Sequence, residues 1–141
     1  MLKVGVLIPA TSGDPGDFLA DVRALEAAGA EMIGVAGDPP EKSILLGAIA
    51  AVTHRVRLLV NGDEPAGLAG LSRGRVVVGP PPGESWAEVA MPADRDAWTA
   101  MVQEHEKAGA TGVVVPWDPR LIDLLRNPEP DDRSDLQMST G

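Results

Sequence analysis

The chain of 141 residues contains no cysteine and no tyrosine, one phenylalanine and three tryptophans. Without thiols there is no disulfide framework, no cysteine nucleophile and no cysteine-ligated metal. The two histidines, His54 and His105, lie far apart in sequence and argue against a histidine-built metal site. Four aromatic side chains (Phe18, Trp86, Trp98 and Trp117) leave little material for a base-stacking platform. Basic residues are scarce, with 12 Lys and Arg against 21 Asp and Glu and a net charge of −9. An acidic chain lacks the electrostatic footprint that attracts nucleic acid or anionic lipid, so neither is expected as a partner. The apolar run Leu45–Val52 is far short of a bilayer span. The segment Met1–Val6 reads directly as a strand and not as a signal-peptide core, which gives a cytoplasmic protein as the expectation.

What the sequence does contain is an alternation of short apolar runs with helix-period segments, the pattern of a parallel α/β sheet. Strands are expected at Val4–Ile8, Met32–Val35, Val56–Val60, Arg75–Val78 and Gly112–Val115. Helices are expected from about Asp17 to Ala28, from Asp38-Pro39 to about Thr53, from Ala93 to Lys107, and from Asp118 to Arg126. The Pro-rich stretch Gly79–Pro92 reads as loop. Residues 1–127 form one α/β domain on this reading, and 128–141 read as a disordered acidic tail. A complete eight-stranded barrel typically needs about 250 residues, so this length allows an incomplete TIM-type barrel or an open parallel sheet of about five strands.

One segment recurs. Glu26-Ala-Ala-Gly-Ala-Glu-Met-Ile-Gly-Val35 aligns with Glu106-Lys-Ala-Gly-Ala-Thr-Gly-Val-Val-Val115 at an offset of 80, and the same offset pairs Asp38-Pro39 with Asp118-Pro119. Each copy reads as helix, glycine cap, strand, Asp-Pro, helix, a unit that buries its strand only by stacking on neighbours.

More specific are Ala50-Ala51-Val52-Thr53-His54-Arg55-Val56-Arg57-Leu58 and, further on, Leu71-Ser72-Arg73-Gly74-Arg75-Val76-Val77-Val78-Gly79. Together they resemble the bacterial luciferase-like monooxygenase family of flavin- or deazaflavin-dependent oxidoreductases. In that family a helix ending Ala-Ala-x-Thr precedes an Arg-rich start of strand three, and a Leu-Ser-x-Gly-Arg turn leads into strand four. Trp86 and Glu88 stand where that family often shows a Gly-Trp and a later Glu. The resemblance covers residues 1–90, while 95–126 look like a helix-strand-helix unit from later in such a barrel, with the middle deleted. It implies a barrel fold carrying FMN or a deazaflavin coenzyme across the C-terminal strand ends, used for hydride transfer or monooxygenation of a small organic substrate.

On that implication the strand exits supply the candidate cofactor-binding residues: Thr11, Asp38, Asn61, Gly62, Gly79 and Trp117. No catalytic residue and no metal ligand is assigned. Each candidate also has a plain structural role: glycines serve turns, Asp38 caps a helix ahead of Pro39, and tryptophans pack. The same rim carries Asp14, Asp17, Asp63, Glu64, Glu84 and Asp118 against few cations, which disfavours a phosphate anchor. Two functional expectations follow, a truncated luciferase-like oxidoreductase or a non-catalytic relative acting as a binding or assembly module. A flavodoxin-like domain is a weaker third, because no donor-rich phosphate loop is present. An open parallel sheet leaves edges to be covered, so a homodimer is expected, with room for a small-molecule ligand.

Overall fold

The computed structural model describes residues 1–10, 14–38 and 40–126. The expected acidic tail lies outside them. The chain runs β1 (Lys3–Pro9), α1 (Pro15–Ala28), β2 (Met32–Ala36), α2 (Glu41–Val52), β3 (Arg57–Val60), α3 (Leu68–Leu71), β4 (Val76–Val78), β5 (Trp86–Glu88), α4 (Arg95–Lys107), β6 (Gly112–Pro116) and α5 (Leu121–Arg126). All six strands are parallel in one open, curled sheet of order β4-β3-β2-β1-β6-β5. This is the expected incomplete-barrel architecture with one more strand than the sequence suggests. The addition is β5, a three-residue strand inside the Pro-rich stretch read as loop.

Every crossover, from β1 through β4 and again from β5 to β6, steps in the same direction along the sheet. Right-handed connections therefore place all the helices on one face. Val4, Val6 and Ile8 of β1, Ile33 and Val35 of β2, and Val113 and Val115 of β6 point to that face. They form one buried cluster with Phe18, Val22 and Leu25 of α1, Leu46 and Ile49 of α2, Trp98 of α4, and Leu121 and Leu124 of α5. The repeat is visible in the caps: the N–H groups of Gly29 and Ala30 return to Glu26 and Leu25, and those of Gly109 and Ala110 return to Glu106 and His105.

Among the described residues no helix covers the other face, yet its middle is buried. Met32, Leu59 and Val114 form a second cluster there, with Leu7 and Trp86 packed on it. Curvature closes it. The Arg57 guanidinium on β3 donates to both carboxylate oxygens of Glu84, at 3.0 and 3.1 Å, and lies 5.8 Å from the centre of the Trp86 ring. The Trp86 indole N–H donates to the same carboxylate at 2.9 Å. In a flat sheet β3 and β5 would be four strand spacings apart, roughly 19 Å. Their contact through two side chains requires the sheet to curl.

The curl leaves no slack at Gly112. A Cβ there would stand 2.5 and 2.7 Å from Trp86 ring carbons and 2.6 Å from the Lys3 carbonyl oxygen. Gly112→Ala is expected to lower stability by about 1–3 kcal/mol, the usual cost of overpacking, in urea denaturation. An unchanged midpoint would show that the inner face is looser than this geometry.

Candidate functional site

Thr53, Arg55, Ser72 and Arg75 lie together at the N-terminal ends of β3 and β4. Arg75, immediately before β4, spends its whole guanidinium on the chain. Its Nε donates to the Ser72 carbonyl at 2.7 Å. One terminal nitrogen donates to Thr53 Oγ1 at 2.9 Å and the Val56 carbonyl at 2.8 Å. The other donates to the Ala50 and Thr53 carbonyls, both at 3.1 Å. Thr53 Oγ1 donates in turn to the Ile49 carbonyl at 2.7 Å, and Ser72 Oγ to the Ala69 carbonyl at 3.2 Å. Thr53 and Ser72 are both buried. The Ala-Ala-x-Thr and Leu-Ser-x-Gly-Arg sequences thus build a polar plug on the C-terminus of α2, satisfying carbonyls that the helix leaves unpaired.

A second plug closes the C-terminus of α1. The Glu26 carboxylate accepts backbone N–H groups from His54 at 2.9 Å, Arg55 at 2.6 Å and Val56 at 3.0 Å. Burial works against its ionisation, but the three N–H donors outweigh it and hold the carboxyl below its usual range. Arg55 answers by donating to the Glu26 and Ala30 carbonyls at 2.8 and 3.1 Å. Glu106, the repeat partner of Glu26, accepts the Leu2 N–H at 3.0 Å. In both copies the glutamate clamps the start of the strand lying beside the one its own helix leads into. Sequence reasoning passed over both glutamates, although their identity across the repeat is the signal that finds them.

The expected cofactor residues are spread over the opposite, C-terminal rim. Thr11 lies outside the described residues. Asp38 is exposed and its backbone carbonyl accepts the Lys42 N–H at 3.2 Å. The expected Asp38 cap is not found: α2 starts at Glu41, after Pro40, with no side-chain cap. Pro40 has no N–H to donate back to that carboxylate. Asn61 accepts the Lys42 ammonium on its backbone carbonyl at 3.1 Å. Gly62 and Gly79 adopt positive φ, 101° and 70°, as turn residues at strand exits, and the Gly79 N–H extends the ladder to the Val60 carbonyl. Gly37 answers a packing need, since a Cβ on it would stand 2.7 Å from that of Ala10. Trp117 packs against the helix-side core.

Near this rim a hollow of about 160 Å³ is lined by Leu7, Glu88, Val89, Val114, Val115 and Pro116, none of them an expected cofactor residue. Small-molecule sites are usually about 300–1,000 Å³. Three helices that start here already hold carboxylates on their free N–H groups. Asp14 accepts from Gly16 at 2.6 Å, Asp94 from Ala97 at 2.8 Å and Asp118 from Arg120 at 2.9 Å. In the first turn of α2 stands Glu41. A flavin phosphate needs free N–H donors and a cation at such a point, so the rim residues do not fit that group. A second hollow, about 630 Å³, lies at the other end of the sheet between the start of β1, α1, α4 and α5. Thr99, whose buried hydroxyl has no hydrogen-bond partner among the described residues, lines it. Among the described residues no group of three or more potential ligands is placed to hold a metal, and no helix is long and apolar enough to cross a membrane.

No protein-family model matches this chain, and no curated protein matches it in sequence.

One outcome follows from the Arg75 plug and one from the Glu84 contact. Arg75→Ala removes the donor to four carbonyls and one hydroxyl, and is expected to cost about 3 kcal/mol or more in thermal or urea unfolding. Glu84 is held down to about 2, first by its hydrogen bond from Arg57 and then by that from Trp86. Its unfolded value is 4.5, so the unfolded chain takes up the proton first as pH falls. The stability this adds is complete above the unfolded value and drains away between about pH 4.5 and 2. Glu84→Gln should show a shallower fall in melting temperature over that window.

Proposed function

We propose that this chain is a non-catalytic, luciferase-like module for binding and assembly, acting as a homodimer. The observation that carries the proposal is where its motif residues spend their hydrogen bonds. Thr53, Arg55, Ser72 and Arg75 all bind the chain's own backbone at the N-terminal ends of the strands. In α/β barrels that end serves stability, and chemistry is done at the C-terminal end. At the C-terminal end the carboxylate-filled helix starts oppose the phosphate of FMN or of a deazaflavin coenzyme.

The oxidoreductase reading is tested by titrating the purified protein with FMN and with a deazaflavin coenzyme, following the visible spectrum and the melting temperature. Neither should change up to high micromolar ligand. Saturable binding of either would reinstate an oxidoreductase.

A small-molecule role is favoured by one feature, the 630 Å³ hollow with the unpartnered Thr99 hydroxyl. Its size suits a small organic ligand with an apolar body and one hydrogen-bonding group. A screen of such fragments by amide chemical shifts should group its responses at Trp98, Thr99, Val102 and Leu125. Responses scattered over the surface would remove this role.

A further inference from the structure

We infer that two copies of the chain associate through the free edge of β4, paired antiparallel about Val77; this rests on the assembly reading and adds its interface. The ladder of β4 with β3 uses the Arg75 carbonyl, bonded to the Leu58 N–H, and the Gly79 N–H, bonded to the Val60 carbonyl. Alternation along the strand then turns the N–H and C=O of Val76 and Val78 outward, where no other strand of the described residues pairs with them. Such an edge, three valines with no charge among them, is a template for another strand.

The side chains beside it are equally unpartnered. Val78 is 54% exposed, Leu71 of α3 53% and Ile44 of α2 68%. These are three of the four large hydrophobic residues exposed among the described residues. Leu71 reaches α2, its Cδ2 standing 3.8 Å from where a Cβ on Gly47 would be. Val78 shares the helix-covered face with Val76, which packs on the core. The cause of the exposure is topological: the link from β4 to β5 carries no helix, so nothing among the described residues covers this corner.

A second copy fits the gap. A two-fold axis through Val77, perpendicular to the sheet, sets Val76 of each chain opposite Val78 of the other, so that the outward backbone groups of both satisfy each other. It keeps both helix layers on the same side, bringing Leu71 and Ile44 of one copy toward those of its mate. Charge fits as well. Antiparallel pairing lays the N-terminal end of one β4 beside the C-terminal end of the other. Before β4 stands Arg73, and at the opposite end, after β3, stand Asp63 and Glu64; all three are exposed and without an ion pair among the described residues. The symmetry brings Arg73 toward Asp63 and Glu64 twice, offsetting the repulsion between two chains of charge −9. The other edge, β5, is less suited, because Glu84 and Glu88 would be repeated across it.

Sedimentation velocity of the full chain over a concentration series tests this. The unaltered protein should be a dimer. Val78→Lys and, separately, Leu71→Glu should raise the dissociation constant at least ~10-fold while leaving the far-ultraviolet circular dichroism unchanged. Arg73→Glu should weaken association similarly, and adding Asp63→Lys and Glu64→Lys to it should restore it. A dimer that survives both Val78→Lys and Leu71→Glu overturns this interface and leaves the assembly reading standing. An unaltered protein that stays monomeric at every concentration overturns the assembly reading itself.

Discussion

The curl of the sheet depends on one contact, the Arg57 guanidinium held between the Glu84 carboxylate and the Trp86 ring. Six parallel strands with every helix on one face would leave a bare apolar surface on the other, a situation that parallel sheets avoid. A longer barrel solves this by closing on itself. Here the edges are drawn together instead: the seven residues between β4 and β5 carry Glu84 back across the mouth of the sheet, and Arg57 fixes it there. Met32, Leu59 and Val114 are then buried without a covering helix. The ion pair is partly buried and doubly hydrogen-bonded, so its two charges compensate each other. Lys3 adds a further favourable charge toward Glu84 from the start of β1.

The 80-residue repeat reads differently once the strand order is known. β3 lies beside β2, and β1 lies beside β6. The N–H of Arg57 bonds the Glu31 carbonyl, and the N–H of Lys3 bonds the Thr111 carbonyl, at positions that are themselves repeat partners. The two units therefore hold their neighbours alike, each with a glutamate on the last helical turn accepting from the backbone just ahead of the neighbouring strand, three N–H groups for Glu26 and one for Glu106. The units also diverge at the Asp-Pro sequences. Asp118 accepts the Arg120 N–H ahead of α5, whereas Pro40 stands at the matching position with no N–H and leaves Asp38 without that task.

This divergence marks what was legible in the sequence. Strands with strong β-branched runs, such as Val113-Val114-Val115, and helices with an apolar stripe, such as Phe18, Val22 and Leu25, announce themselves by period alone. β5 does not. Trp86-Ala87-Glu88 is too short for a period and sits among prolines; it is a strand because it pairs with β6, a contact between residues far apart in sequence. The same holds for the polar plugs. Arg75 has a visible place in a motif, but its partners Ala50, Thr53 and Val56 are backbone groups, which no residue pattern records. The rim glycines were legible as turn residues, and that is the role Gly62 and Gly79 have.

Motif and site need not coincide, and the polar groups of this chain illustrate why. A residue pattern persists in a fold wherever a specific side chain is required, whether by a reacting atom or by an unpaired carbonyl. Buried carbonyls at a helix end demand a donor as strictly as a substrate does, because leaving one unpaired costs about 1–3 kcal/mol. Arg75 answers several such groups at once and has no free N–H left to offer a ligand. Glu26, with three amides on its carboxylate, is likewise committed. The work of Thr53, Arg55, Ser72 and Arg75 is to join each helix end to the next strand, so these motifs speak for architecture. Any chemistry has to be argued from the opposite rim, where the carboxylates already occupy the helix starts.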